Sequence, residues 1–312
     1  MTKEFAFETA RLSAQNLNDM ARLYQMVYGS VKSADYFIKK YSTEYTGVSY
    51  VGYIAYNEAD LPIAYYGVIP CFLSINKSKV LAAQSADTMT HPRYQKQGLY
   101  RELMNLTIAL CREENIQLLY GFPNQNSVKG RIRGGWQIAE YMDCFIIKTK
   151  GAFGIRLLRK LPALKRIYAR YVSVVFKPWL TDRTGLAATL IDEGFDTVLR
   201  NEAYLKTKTI SPTLVLNIGG ALIWLKLQNG LTIGDMKVND NAFETTIKSL
   251  KNIARKLGLN QVMFQTSPGT RLYHLFAKRH PSFQTFPVTI YPLSPGIDTN
   301  NLKFTFADID IF

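Results

Sequence analysis

Ala86-Asp87-Thr88-Met89-Thr90-His91-Pro92-Arg93-Tyr94-Gln95-Lys96-Gln97-Gly98-Leu99-Tyr100 is the stretch that decides how this chain is read. An apolar run ends at Thr90, Pro92 breaks the pattern, and a polar loop follows. Gly98 then opens a run with Leu99, Leu103, Leu106, Ile108 and Cys111 at helical spacing. Strand, loop and helix N-terminus in that order make an anion cradle. The N–H groups of a first helical turn have no intrahelical acceptor, and the helix dipole favours negative charge there. Gly98 permits close backbone approach, and Arg93, Lys96 and Arg101 add positive charge. A pyrophosphate fits such a place.

Upstream, Val48 to Tyr56, Pro62 to Ile75 and Lys79 to Thr90 are rich in Val, Ile, Tyr and Phe. Turn residues at 57–60 and 76–78 separate them, which predicts a three-stranded antiparallel meander. Asn16 to Tyr28 and Asp35 to Tyr41 precede it as helices. Downstream the pattern predicts a helix over Gly98 to Glu114, a strand over Ile116 to Phe122, a helix over Asn124 to Arg133 and a strand over Trp136 to Lys148. That order suits a mixed sheet carrying helices. In the second half, Thr213 to Lys226 and Leu231 to Lys237 read as a hairpin turning at Gln228-Asn229-Gly230. A helix over Ala242 to Leu257, a strand over Gln261 to Gln265, a helix over Thr270 to Arg279 and a strand over Ser282 to Tyr291 follow. The order repeats that of the first half, as an ancestral duplication would leave it.

Gln95-Lys96-Gln97-Gly98-Leu99-Tyr100 resembles the acetyl-CoA signature of the GNAT N-acetyltransferases, Arg/Gln-x-x-Gly-x-Gly/Ala after a strand; Tyr100 replaces the final small residue. Asn124, Ser127 and Gly135-Trp136 fall on the positions of a second GNAT signature. The resemblance covers roughly Leu12 to Lys148. It implies an α/β (α+β) GNAT fold, a mixed, mostly antiparallel sheet flanked by helices, with a second, degenerate GNAT-like lobe. The second half has no phosphate loop, since Ile233-Gly234-Asp235-Met236 puts an acid where one would recur. The expected division is 1–150 for the acetyl-CoA domain, 151–180 for a connector and 181–312 for the second lobe.

The resemblance also implies a chemistry. Acetyl-CoA is the co-substrate, no metal takes part, and the acetyl group passes directly to a primary amine of a small molecule or protein. Backbone groups of Thr88, Met89 and Thr90 would align the acyl and pantetheine arms, amides of Gln95, Lys96, Gln97, Gly98, Leu99 and Tyr100 would take the pyrophosphate, and Asn124 and Ser127 would lie along the arm. Asp87, near the end of the central strand, is the candidate general base, with a turn or cap role as its alternative. The family often places a Tyr acid seven residues after the Asn; here that position is Arg131. Tyr94 and Tyr100 are other possible acids.

Composition narrows the setting. Cys71, Cys111 and Cys144 are widely spaced and only three histidines occur, so neither a disulfide framework nor a zinc site is expected, and a reducing cytoplasm fits. Lys3, Glu4 and Glu8 are not those of a signal peptide. The net charge of +14 attracts nucleic acid, anionic lipid and phosphorylated small molecules alike. No DNA-reading motif is present. Lys150 to Pro178 concentrates the charge, with Arg156, Arg159, Lys165, Arg166 and Arg170 but no acid, interleaved with Leu157, Leu161 and Ile167. Its spacing suits a helix that packs its apolar side on the body. Its charge suits peripheral contact with an anionic membrane or an anionic substrate. Two other readings stand beside the acetyltransferase: an aminoacyl-tRNA-dependent transferase resembling the FemABX group, and a non-catalytic GNAT-fold binding protein.

Overall fold

The computed structural model describes residues 6–228 and 230–312, with every side chain among them except that of Lys160. Lys3, Glu4 and Asn229 lie outside the described residues. The chain divides into two compact units, 1–140 with 287–300, and 141–286 with 301–312.

The first unit begins with a short strand, β1 (Glu8–Arg11), too brief to show any alternation in the sequence. Helices α1 (Leu17–Tyr28) and α2 (Ala34–Tyr41) follow. Leu17, Met20 and Leu23 form the buried stripe of α1, which stops at Gly29 in the left-handed conformation. Ser33 caps α2 by accepting from the amide of Tyr36. Strands β2 (Val51–Tyr56), β3 (Pro62–Ile75) and β4 (Ser78–Thr90) are antiparallel, with β1 added on the outer edge of β2. Helix α3 (Leu99–Glu113) leads to β5 (Leu118–Gly121), which lies parallel to β4. Helix α4 (Gln125–Arg133) and β6 (Gln137–Lys148) complete the run. Leu103, Ile108, Val68 and Leu119 pack in one core cluster; Leu17, Met20, Phe37, Tyr65 and Met89 pack in another.

The second unit holds α5 (Phe153–Lys160), α6 (Lys165–Phe176), α7 (Thr189–Asp192), the two-residue β7 (Thr197–Val198) and α8 (Glu202–Thr207). After these come β8 (Leu214–Ile218), β9 (Ala221–Leu227), β10 (Leu231–Lys237), α9 (Asp240–Lys256), β11 (Gln261–Thr266), α10 (Arg271–Ala277) and β12 (Ser282–Pro292). From β8 onward this is the order β2 to β6 already showed, with β10 parallel to β11 as β4 is to β5. The expected single strand over Thr213 to Lys226 is two strands. Gly219 and Gly220 both take positive φ, 60° and 88°, and turn the chain between paired Ile218 and Ala221. Two glycines in that conformation make the two-residue hairpin turn that matches strand twist.

The last strands are exchanged between the repeats. Residues 289–292 of β12 pair antiparallel with β5 in the first unit, Thr289 opposite Gly121 and Tyr291 opposite Leu119. Residues 143–148 of β6 pair antiparallel with β11 in the second unit. The division therefore falls at Glu140 and not near 150. Helices α5 and α6 belong to the second unit, where Tyr171, Val172, Val175 and Phe176 join the core built on β8 to β11 and α9. The cause is strand pairing, which element order cannot reveal.

Asp235 also differs from its expected place. It lies inside β10 and is fully buried, where a phosphate loop would have to leave the strand. Only Val238 and Asn239 connect β10 to α9. Arg200 holds Asp235 at 2.5 Å and Asp308 at 2.8 Å, with all three side chains fully buried. No helix among the described residues is long and apolar enough to cross a membrane.

Candidate active site

The end of β4 is irregular. Met89 faces Tyr65 and Ala86 faces Gly67, so Asp87 and Thr88 together face Tyr66 alone. This is a β-bulge, with Asp87 at φ +50°. Positive φ in a non-glycine residue is sustained only where its surroundings hold it. Here the Asp87 carboxylate accepts from the Lys40 ammonium at 2.7 Å and from the Tyr41 hydroxyl at 2.9 Å. Both donors end α2, and both are buried. Burial first, and then the Asp87 charge, pushes the Tyr41 phenol well above its usual range.

Beyond the bulge the strand has one open edge. Pairing of β4 with β5 runs only from Ala82–Leu118 to Gln84–Tyr120, whereas β4 continues to Thr90 along β3. The hydroxyl of Thr88 is buried without a partner among the described residues. Met89 is buried in the cluster with α1 and α2, so it offers only backbone. Past Thr90, His91 to Tyr94 make one tight turn, and exposed residues Gln95 to Gly98 lead into α3. The backbone amides from Gln95 to Tyr100 donate to no acceptor among the described residues. Gly98 caps α3 at φ +86°, and a Cβ there would meet nothing within 4 Å. Idle amides in open surroundings at a helix N-terminus can cradle an anion.

Tyr100 contributes to this cradle through its amide only. Its ring turns inward, edge-on to Tyr66 at 5.5 Å and against Gly130, where a Cβ would come within 3.1 Å of it. The large residue in place of a small one is accommodated by a glycine on the next helix. Burial raises its phenol pKa, and the hydroxyl has no partner among the described residues, so it is a poor proton donor. Tyr94 is engaged by the Asn57 amide at 2.9 Å. Asn124 is the N-cap of α4; its Oδ1 accepts from the amides of Asn126 and Ser127, and the Ser127 hydroxyl bonds back to it.

Arg131 is buried at the point where β4 and β5 part. Its guanidinium donates to Ser85 Oγ and to Thr289 Oγ1, each at 3.0 Å, and lies 4.7 Å from the Trp136 ring. Gly121 leaves the space it fills, since a Cβ there would sit 2.3 Å from it. Among the described residues no carboxylate pairs with it. A buried guanidinium held by neutral oxygens keeps an uncompensated positive potential. Lys40, Tyr41, Ser85 and Thr289 went unread in the sequence; Thr289 lies 158 residues from Arg131, and nothing local marks it.

The described residues hold no group of three or more His, Cys, Asp or Glu arranged for a metal. No curated protein matches the chain. Among solved structures, a GCN5-related N-acetyltransferase from Kribbella flavida is 12% identical, with a TM-score of 0.59 over 92% of this chain and 72% of that one. A second from Anabaena variabilis is 13% identical at 0.59, over 93% and 73%. A probable N-acyltransferase from Enterococcus faecalis is 10% identical at 0.61, over 92% and 73%. These likenesses are of fold, and they extend through both units. Residues 8–139, from β1 through the bulge, the cradle and α4, match the family model for the acetyltransferase (GNAT) domain.

Proposed function

We propose that the chain is an N-acyltransferase that takes its acyl group from acetyl-CoA and passes it to a primary amine, in a reducing cytoplasm. The observation that carries this reading is the continuity of the bulged, open edge of β4 with the idle amides of Gln95 to Tyr100. An acyl-CoA has a matching shape, with a pyrophosphate for the cradle and an amide-bearing arm for a strand edge. When bound it supplies an activated acyl group. The strand edge at Thr88 to Thr90 aligns that arm, and Asn124 offers its remaining amide N–H groups. Cys71, Cys111 and Cys144 are buried and none is in a disulfide, which suits that compartment.

Titration calorimetry with acetyl-CoA is the test. Gly98→Glu places a carboxylate in the cradle at a backbone angle that side chains rarely adopt, and weakens acetyl-CoA binding by roughly a hundredfold. Unchanged affinity in this variant would place the cofactor elsewhere.

Within this reading Asp87 is a positioning residue, holding the bulge with Lys40 and Tyr41. Arg131 replaces the family's tyrosine acid with fixed positive charge near the place where the leaving group develops negative charge. Arg131→Gln retains donors for Ser85 and Thr289 but removes the charge. The expected result is a kcat lower by roughly tenfold to a hundredfold at little change in KM. A folded variant with unaltered kcat removes the charge from the chemistry.

A further inference from the structure

The basic segment does not do what its leucine spacing suggested. No placed side chain from 150 to 170 is buried. Phe153 is 73% exposed and Leu157 52%, four residues apart on one face of α5, and Leu161 follows at the next turn. Helix α6 packs its Tyr171, Val172, Val175 side inward and anchors itself through Tyr168 and Tyr171, whose hydroxyls donate to the carbonyls of Leu257 and Lys256. Its outer face carries Ile167, 55% exposed, and Val174, 67% exposed, with Arg170 and Lys177 between and beyond them.

Lys165, Arg166, Arg170 and Lys177 are exposed beside these side chains, and Arg156 and Arg159 are half-buried. Arg156 lies 5.4 Å from the Phe153 ring. Among the described residues no carboxylate pairs with Arg156, Arg159, Lys165, Arg166, Arg170 or Lys177. Exposed apolar side chains mixed with unpaired cations, on helices fixed to a body by their other face, fit the boundary between headgroups and acyl chains of an anionic bilayer. Nucleic acid would reward the cations but not Phe153, Leu157 or Val174. We propose that α5 and the outer face of α6 form a docking surface for anionic membranes. The proposal is independent of the transferase reading.

The test is sedimentation of the full-length protein with vesicles of phosphatidylcholine alone, and with about a quarter phosphatidylserine. The expected result is partition onto the anionic vesicles only, weakened by salt. Phe153→Ser with Leu157→Ser, and separately Arg166→Glu with Arg170→Glu, each reduce partition by at least about tenfold, with thermal unfolding unchanged because the residues are exposed. Failure to bind phosphatidylserine vesicles overturns the proposal. So does binding that both double variants retain. Capture of tRNA that survives Phe153→Ser with Leu157→Ser and displaces the vesicles would assign the surface to nucleic acid. A dimer in light scattering that the same variant dissolves would assign it to a second copy of the chain.

Discussion

Arg200→Ala lowers the stability of the second unit by about 3–5 kcal/mol. The guanidinium is fully buried and donates to Asp235, to both oxygens of Asp308 and to the Thr305 hydroxyl. Asp308 also accepts from the Thr305 amide, and Asp235 from the Thr189 hydroxyl. Removing the cation leaves two carboxylates with their charges uncompensated in a medium that cannot solvate them. The residues joined come from β10, from the segment before α8 and from the end of the chain, so the loss is felt by the whole unit. Domains are stable by only roughly 5–15 kcal/mol, so this is a large share. Arg200→Lys keeps the charge, but its compact ammonium carries three donors on one atom where the guanidinium fork makes four bonds, so its stability falls between the parent and Arg200→Ala. Denaturant unfolding measures both. A shift below about 1 kcal/mol for Arg200→Ala would mean that water replaces the guanidinium.

The second large effect concerns Lys40. Lys40→Met leaves Asp87 beside the Tyr41 hydroxyl without its counter-ion and costs about 3 kcal/mol. Asp87→Asn costs less, about 1–2 kcal/mol, because the amide still accepts from Tyr41 and tolerates positive φ. The double variant recovers at least about 1 kcal/mol of the summed losses, since neither charge then remains alone. Turnover follows the same cycle. Each single variant slows acyl transfer through displacement of the bulge, and the double variant regains part of the rate. A double variant as stable as the parent yet slower by more than about a hundredfold would make Asp87 the proton acceptor.

The legible part of this protein was the part encoded locally. The junction at Gly98 declares itself because a loop, a glycine and an apolar stripe lie within a few residues, and α3 begins at Leu99 with Gly98 as its cap. The stripe of α1 and the strand runs β3 and β4 were readable for the same reason. The bulge was not, because a register shift depends on the partner strand; nor was the Lys40–Asp87 pair, which joins residues 47 positions apart through the fold and not through any pattern. Arg131 was read as a missing tyrosine, and its neighbours Ser85 and Thr289 come from two strands far away in sequence. The basic segment departs from its pattern in the other direction. Its leucines have core spacing, yet the body of the unit supplies a surface for α6 and none for Phe153, Leu157 or Leu161.

The exchanged strands set a timetable for synthesis. Gly121 bonds to Thr289, 168 residues later in the chain. At ribosomal speeds of about 5–20 residues per second, the edge of β5 waits roughly 8–35 s for its partner. During that interval it is an unpaired strand edge, the kind of surface that invites wrong partners and chaperones. Thr289 also accepts from the Arg131 guanidinium, so the surroundings of that buried cation are complete only once a strand made 158 residues later has emerged.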